Sequence, residues 1–157
     1  MSKAGASEAK PRPGLSRYRH VVTAGLFAIS AFYAYGALVH VLNILGFTGF
    51  DWLRAPFKWQ VLDIVYLVLD LLVAAFLVTR STVAVLSFYT AALSQIVLYT
   101  IGRNWVLDVP PEFVPTTDQI GYLDTLVMFH VLSIIFVGGL LLWDRHLSTN
   151  DTPSIPA

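Results

Sequence analysis

The chain has 157 residues, one domain's length, of which 56% are hydrophobic and only 13% charged, giving a mean hydropathy of +0.67. Soluble domains run nearer half apolar and a quarter charged, so this balance points away from water and toward the lipid bilayer as solvent. With no cysteine, disulfides, thiolate chemistry and Cys-ligated metals are excluded.

The first 20 residues carry Lys3, Lys10, Arg12, Arg17 and Arg19 against the single acid Glu8. Such a segment suits a disordered cytoplasmic tail over residues 1–19 rather than a nucleic-acid surface, so no nucleic-acid partner is expected. From Val21 to Phe50 there is no Asp, Glu, Lys or Arg. A first helix over residues 21–45 can therefore cross a hydrocarbon core of about 30 Å. A basic start followed by an apolar run also describes a signal peptide. This run, however, is about twice the usual apolar length and lacks a small-x-small cleavage site, so retention is expected. GFTGFDWLRAPFK, residues 46–58, breaks the pattern with glycines, a proline and charges and predicts a short loop. Its aromatics suit the headgroup level.

A second helix over 57–79 ends at Arg80-Ser81, and a third over 82–102 follows within a residue or two. So tight a connection makes the two antiparallel neighbours. RNWVLDVPPEFVPTTDQ, with three prolines, predicts a second loop. Thr117 or Asp118 would cap a fourth helix over 120–143, and residues 146–157 read as a second disordered cytoplasmic tail. The fold expected is all-α, an integral membrane four-helix bundle of up-down-up-down order. Arg80, Arg145 and the basic start fall on one side, while Arg54, Lys58 and Arg103, diluted by acids, fall on the other. Both termini are thus expected in the cytoplasm of a prokaryotic cell, with the chain in its plasma membrane.

Ionisable groups inside the spans are the functional candidates. An aspartate at the centre of a span costs on the order of 3 kcal/mol, so Asp63 and Asp70 should face the bundle interior and find partners. Trp59, Asp63, Tyr66 and Asp70 are spaced i, i+4, i+7 and i+11, one helical stripe; Tyr33, Gly36, His40 and Asn43 form another. Ser87, Ser94 and Gln95 mark a polar side of the third helix. On the fourth, His130 and Ser133 share a face, and Asp124 lies about 120° away at about 100° per residue. His40, Asn43, Asp63, Tyr66, Asp70, Gln95, Asp124 and His130 are thus the candidate ligand-binding set, gathered in the half of the bundle near the loops. The plainer reading makes each of them structural glue between helices, worth about 1 kcal/mol per bond. Gly138-Gly139 would allow a neighbouring helix to approach closely.

No H-E-x-x-H, Glu-x-x-His di-iron motif, phosphate loop or G-x-S-x-G occurs, so no recognised catalytic motif is present and no metal site is expected. Two histidines on different helices could hold haem axially, but His40 and His130 differ in depth by about 7 Å. A pocket for a quinone or other lipid is the more economical reading, with aromatic walls and a few polar groups at its head. Proton-coupled transport would use the same residues but lacks the inverted repeats and broken helices of transporters. Partner membrane subunits or a second copy remain open as partners besides the bilayer.

YRHVVTAGLFAISAFYAYGALVHVLN, a short aromatic loop and VYLVLDLLVAAFLVTRSTVAVLS together resemble the DoxX-like family of small four-helix membrane proteins. Asp70 occupies the place where that family has an acidic residue before a Leu-Leu and small-residue run. His40 stands where a lysine is common, and the helix-two glycines are few. The resemblance implies a four-helix membrane fold and a role beside quinone or sulfur redox chemistry, as a subunit of a membrane redox system.

Overall fold

The computed structural model describes residues 13–149. Its helices are α1 (Pro13–Ile44), α2 (Phe57–Phe76), α3 (Thr82–Thr100), α4 (Arg103–Leu107) and α5 (Thr117–Thr149). Single 3-10 turns cover Leu77–Thr79 and Pro111–Phe113, and there is no strand among the described residues. Four helices are long and apolar enough to cross a membrane, so the chain is a multi-pass membrane protein. Even α3, the shortest at 19 residues, reaches about 28 Å at about 1.5 Å per residue.

The long helices pack as a ring in chain order, α1 on α2, α2 on α3, α3 on α5 and α5 back on α1. This is the up-down-up-down bundle the sequence predicts. One end carries the start of α1, the end of α5 and the α2–α3 turn, and the other carries both long connections; these are the termini end and the loop end.

Helix boundaries depart from expectation at the outer edges. α1 already begins at Pro13 and α5 continues to Thr149, both inside segments expected as tails, while residues 1–12 and 150–157 fall outside the described residues. Hydropathy marks where lipid ends, and a helix can run on into water beyond that point. The second connection likewise holds α4 and a 3-10 turn where a plain loop was expected.

Local chemistry sets each turn. α1 stops because Gly46 adopts φ 75°. Its N–H donates to Asn43 O at 3.0 Å, and Phe47 N–H donates to Leu42 O at 2.9 Å, the paired bonds of a Schellman ending. α5 starts at a reciprocal cap one residue before the expected position. Gln119 N–H donates to Thr116 Oγ1 at 3.3 Å, and Thr116 N–H donates to Gln119 Oε1 at 2.8 Å. Between α2 and α3, Arg80 takes φ 56°, a left-handed conformation usual for glycine. Its guanidinium donates to Thr23 Oγ1 at 3.2 Å and lies 3.4 Å from Asp144 Oδ2, joining the turn to α1 and α5.

The core is divided by level. Toward the termini end, Val22, Leu26, Val73, Leu77, Phe88 and Val137 are fully buried in one apolar cluster. Toward the loop end the interior holds Asp63, Asp70, Gln95 and His130. Outward faces carry exposed Phe27, Val68, Leu86 and Ile135, which suit contact with lipid. The close helix approaches are not at Gly138-Gly139: Gly139 faces open space and Gly138 only touches the Tyr89 hydroxyl. They occur on α1, where a Cβ at Gly25 would come within 2.6 Å of Leu140 and one at Gly36 would collide with the Asp70 carboxylate.

Candidate functional site

The two stripes read from α1 and α2 face each other. His40 Nδ1 and Asp63 Oδ1 are 2.5 Å apart, and His40 Nε2 lies 3.8 Å from Asp70 Oδ2. The imidazole is therefore set between two carboxylates, one a hydrogen-bond partner and one just beyond hydrogen-bond reach. The second, Asp70, is 4% exposed, and its Oδ1 has no partner. The Tyr66 ring stacks beside His40, with centroids 6.3 Å apart, while its hydroxyl donates to Ser94 Oγ on α3 at 3.2 Å. Gly36 permits all this, because only a residue without Cβ lets α1 come so near Asp70.

A second polar group bridges the helices. Tyr33 on α1 meets His130 Nδ1 on α5 at 3.4 Å, and His130 Nε2 meets Gln95 Oε1 on α3 at 2.9 Å. Gln95 Oε1 can only accept, so Nε2 carries the proton and Nδ1 accepts from the Tyr33 hydroxyl. One neutral tautomer thus satisfies both ring nitrogens. Ser133, on the same face, donates to its own helix at His130 O.

Above the first group lies a cavity of about 520 Å³ at the loop end. His40, Asn43, Asp63 and Tyr66 reach it from α1 and α2, Tyr99 from α3, and Gln119 and Tyr122 from α5. Glu112, Phe113, Val114 and Pro115 of the second connection close its far wall. That connection is held down from α2. Lys58 Nζ donates to the carbonyls of Trp105 and Asp108 at the C-terminal end of α4, and Trp59 Nε1 donates to Val106 O at 3.0 Å. A cation suits that end of a helix, where carbonyls lack partners. Gln60 does the same for the first connection, donating to Trp52 O at 2.9 Å and to Leu53 O and Ala55 O at 3.2 Å.

The eight residues expected in one set therefore separate. His40, Asn43, Asp63 and Tyr66 line the cavity, and Asp70 lies just behind His40. Gln95 and His130 belong to the bridging network and do not line it. Asp124 stands apart: it bonds Arg103 at 2.6 Å and 3.3 Å, with its side chain 62% exposed. That bond also raises the Arg103 pKa above its ordinary value. Tyr99 lies at the loop-end mouth of α3, while Gln119, Tyr122 and the 112–115 segment are wall residues the sequence did not mark.

The two histidines differ in how their ring nitrogens are engaged, and His40 Nε2 lies beyond hydrogen-bond reach of Asp70. Both His130 nitrogens are hydrogen-bonded, and those of His40 face Asp63 and Asp70. Among the described residues, no group of three or more His, Asp or Glu is placed to hold a metal ion. No protein-family model, curated protein or solved structure matches this chain.

Proposed function

We propose that the loop-end cavity binds a small amphipathic molecule, its polar head near Asp63 and its apolar body against the aromatic rings of the wall. The observation that carries this reading is the cavity itself, about 520 Å³ in volume with the His40–Asp63 pair in its wall. Small-molecule sites fall in the range of about 300–1,000 Å³, mostly apolar with a few polar groups that orient the ligand. A quinone-like molecule or a lipid meets that description. The DoxX-like layout around Asp70 would then make the chain a subunit of a membrane redox system, an analogy of fold rather than of chemistry. The second reading, buried polar residues that only specify helix packing, is favoured at one place, the closed Tyr33–His130–Gln95 network.

Native mass spectrometry with lipid extraction, on protein taken gently from its own membrane, tests the binding reading. A co-purifying small molecule lost on Asp63→Asn supports it. A protein that carries nothing in either form, or carries the same molecule in both, returns the His40–Asp63 pair to a packing role.

We propose further that both termini face the cytoplasm of a prokaryotic cell. Arg19, Arg80 and Arg145 lie toward the termini end, while Arg54, Lys58 and Arg103 at the loop end accompany Asp51, Asp108 and Glu112. Because the chain has no cysteine, Thr48→Cys and Thr79→Cys each report one end. In intact cells an impermeant maleimide should label the first and not the second, and the reverse pattern inverts the topology.

A further inference from the structure

The cavity's charge is lopsided. Its wall contains the acids Asp63 and Glu112 and no lysine or arginine. Its one basic side chain, His40, is already set between Asp63 and Asp70. Counted as formal charges, Asp63 and Glu112 in the wall outnumber the single imidazole. The cations at this end are engaged elsewhere: Arg103 with Asp124, Lys58 with the carbonyls of Trp105 and Asp108, and Arg54 at 4.0 Å from Asp51.

The wall's aromatic rings add a second, independent preference. Phe50, Trp59 and Phe113 form a three-ring cluster, with centroids 6.0 Å, 6.2 Å and 6.4 Å apart and two of the three pairs edge-to-face. All three line the cavity, together with Tyr66, Tyr99 and Tyr122. The negative face of such a ring attracts a cation, most strongly for tryptophan and where water is excluded, and several rings around one space favour alkylated ammonium groups.

We propose that the cavity's ligand is an amphipathic organic cation, a protonated or quaternary amine with an apolar tail, its nitrogen near Asp63 and Glu112 against the Trp59 ring. This rests on the reading that the cavity binds an amphipathic molecule, and sharpens it against a neutral quinone head. A carboxylate supplies long-range attraction, and the rings supply the contact a hydrated ammonium would otherwise find in water.

The test is calorimetric titration of the full chain in phosphatidylcholine nanodiscs, with the heat of empty nanodiscs subtracted. The probes are octyltrimethylammonium, octyl sulfate and a decyl-substituted benzoquinone. Octyltrimethylammonium should bind saturably and octyl sulfate should not. Asp63→Asn and Trp59→Leu should each weaken the cation about tenfold. Glu112→Gln, on an exposed residue away from the helix interfaces, should weaken it about threefold without changing the melting temperature, so that a folding defect cannot imitate the result. Binding of octyl sulfate as tight as that of the cation, or cation binding indifferent to all three substitutions, overturns the proposal. Saturable binding of the benzoquinone without the cation overturns it and leaves the cavity's role as a binding site standing. No saturable binding of any probe overturns both.

Discussion

At the level of Leu26, Val73, Phe88 and Val137 the bundle interior is an apolar cluster, with the small hydroxyls of Ser30 and Ser87 beside it. Further along the same four helices, toward the loops, the interior holds His40, Asp63, Asp70, His130 and Gln95, and opens into a cavity. In lipid these two halves are held by different forces. Burying Phe88 gains little by removal from the solvent, because lipid tails are as apolar as the core, so the lower half depends on close van der Waals packing. The upper half depends on hydrogen bonds that have few alternative partners in the bilayer. The dry half is held by packing and the wet half by hydrogen bonds, with Gly36 admitting α1 close enough to α2 for the second to form.

That division can be broken most forcefully in the dry half. Phe88→Ala removes a fully buried ring packed edge-on against Tyr33 and Tyr89. The void should cost about 2–4 kcal/mol. Thermal unfolding in detergent should show the loss as the largest drop among these variants, while any ligand of the loop-end cavity is still bound below the melting temperature. Loss of ligand in the folded variant would show that the two halves are not separable.

Much of this division was legible in the residues, and the parts that were not share a cause. Asp63, Tyr66 and Asp70 at i, i+3 and i+7 had to share a face, and the cost of a lipid-exposed aspartate had to turn that face inward. His40 followed from the matching stripe on α1. Asp124 stands apart from the cavity because its neighbourhood is set by Arg103, 21 residues away in sequence and brought near by the packing of α3 on α5. The cavity's far wall was hidden for the same reason. Whether residues 112–115 cover the bundle depends on Lys58 and Trp59 gripping α4, which no local pattern states. The cap at Thr116 was a different miss. T-T-D-Q contains the Thr-x-x-Gln box, which starts one residue before Thr117 and two before Asp118.

The next largest effect should come from the wet half but outside the cavity. His130→Leu fits the space yet strands Gln95 Oε1 and the Tyr33 hydroxyl, costing about 1–2 kcal/mol. The melting temperature should fall by less than for Phe88→Ala, with ligand binding intact, since His130 does not line the cavity. A variant that melts normally but no longer binds would move His130 from the structural network into the site.

The smallest effect should come from the Arg103–Asp124 pair, although its 2.6 Å bond is among the shortest between side chains at the loop end. Bond length alone is a poor guide there. Asp124 is 62% exposed at its side chain, so both charges keep access to water and headgroups, and an exposed pair recovers little beyond the entropy spent holding it. Arg103→Gln and Asp124→Asn, singly and together, should melt with the parent protein in moderate salt, and a double-mutant cycle should show negligible coupling. A clear coupling that survives high salt would mean that the pair lies in a drier place than its exposure implies. It would then act as the hinge pin between α4 and α5, and the far wall of the cavity would be held from both sides, by Lys58 on α2 and by Asp124 on α5, rather than from α2 alone.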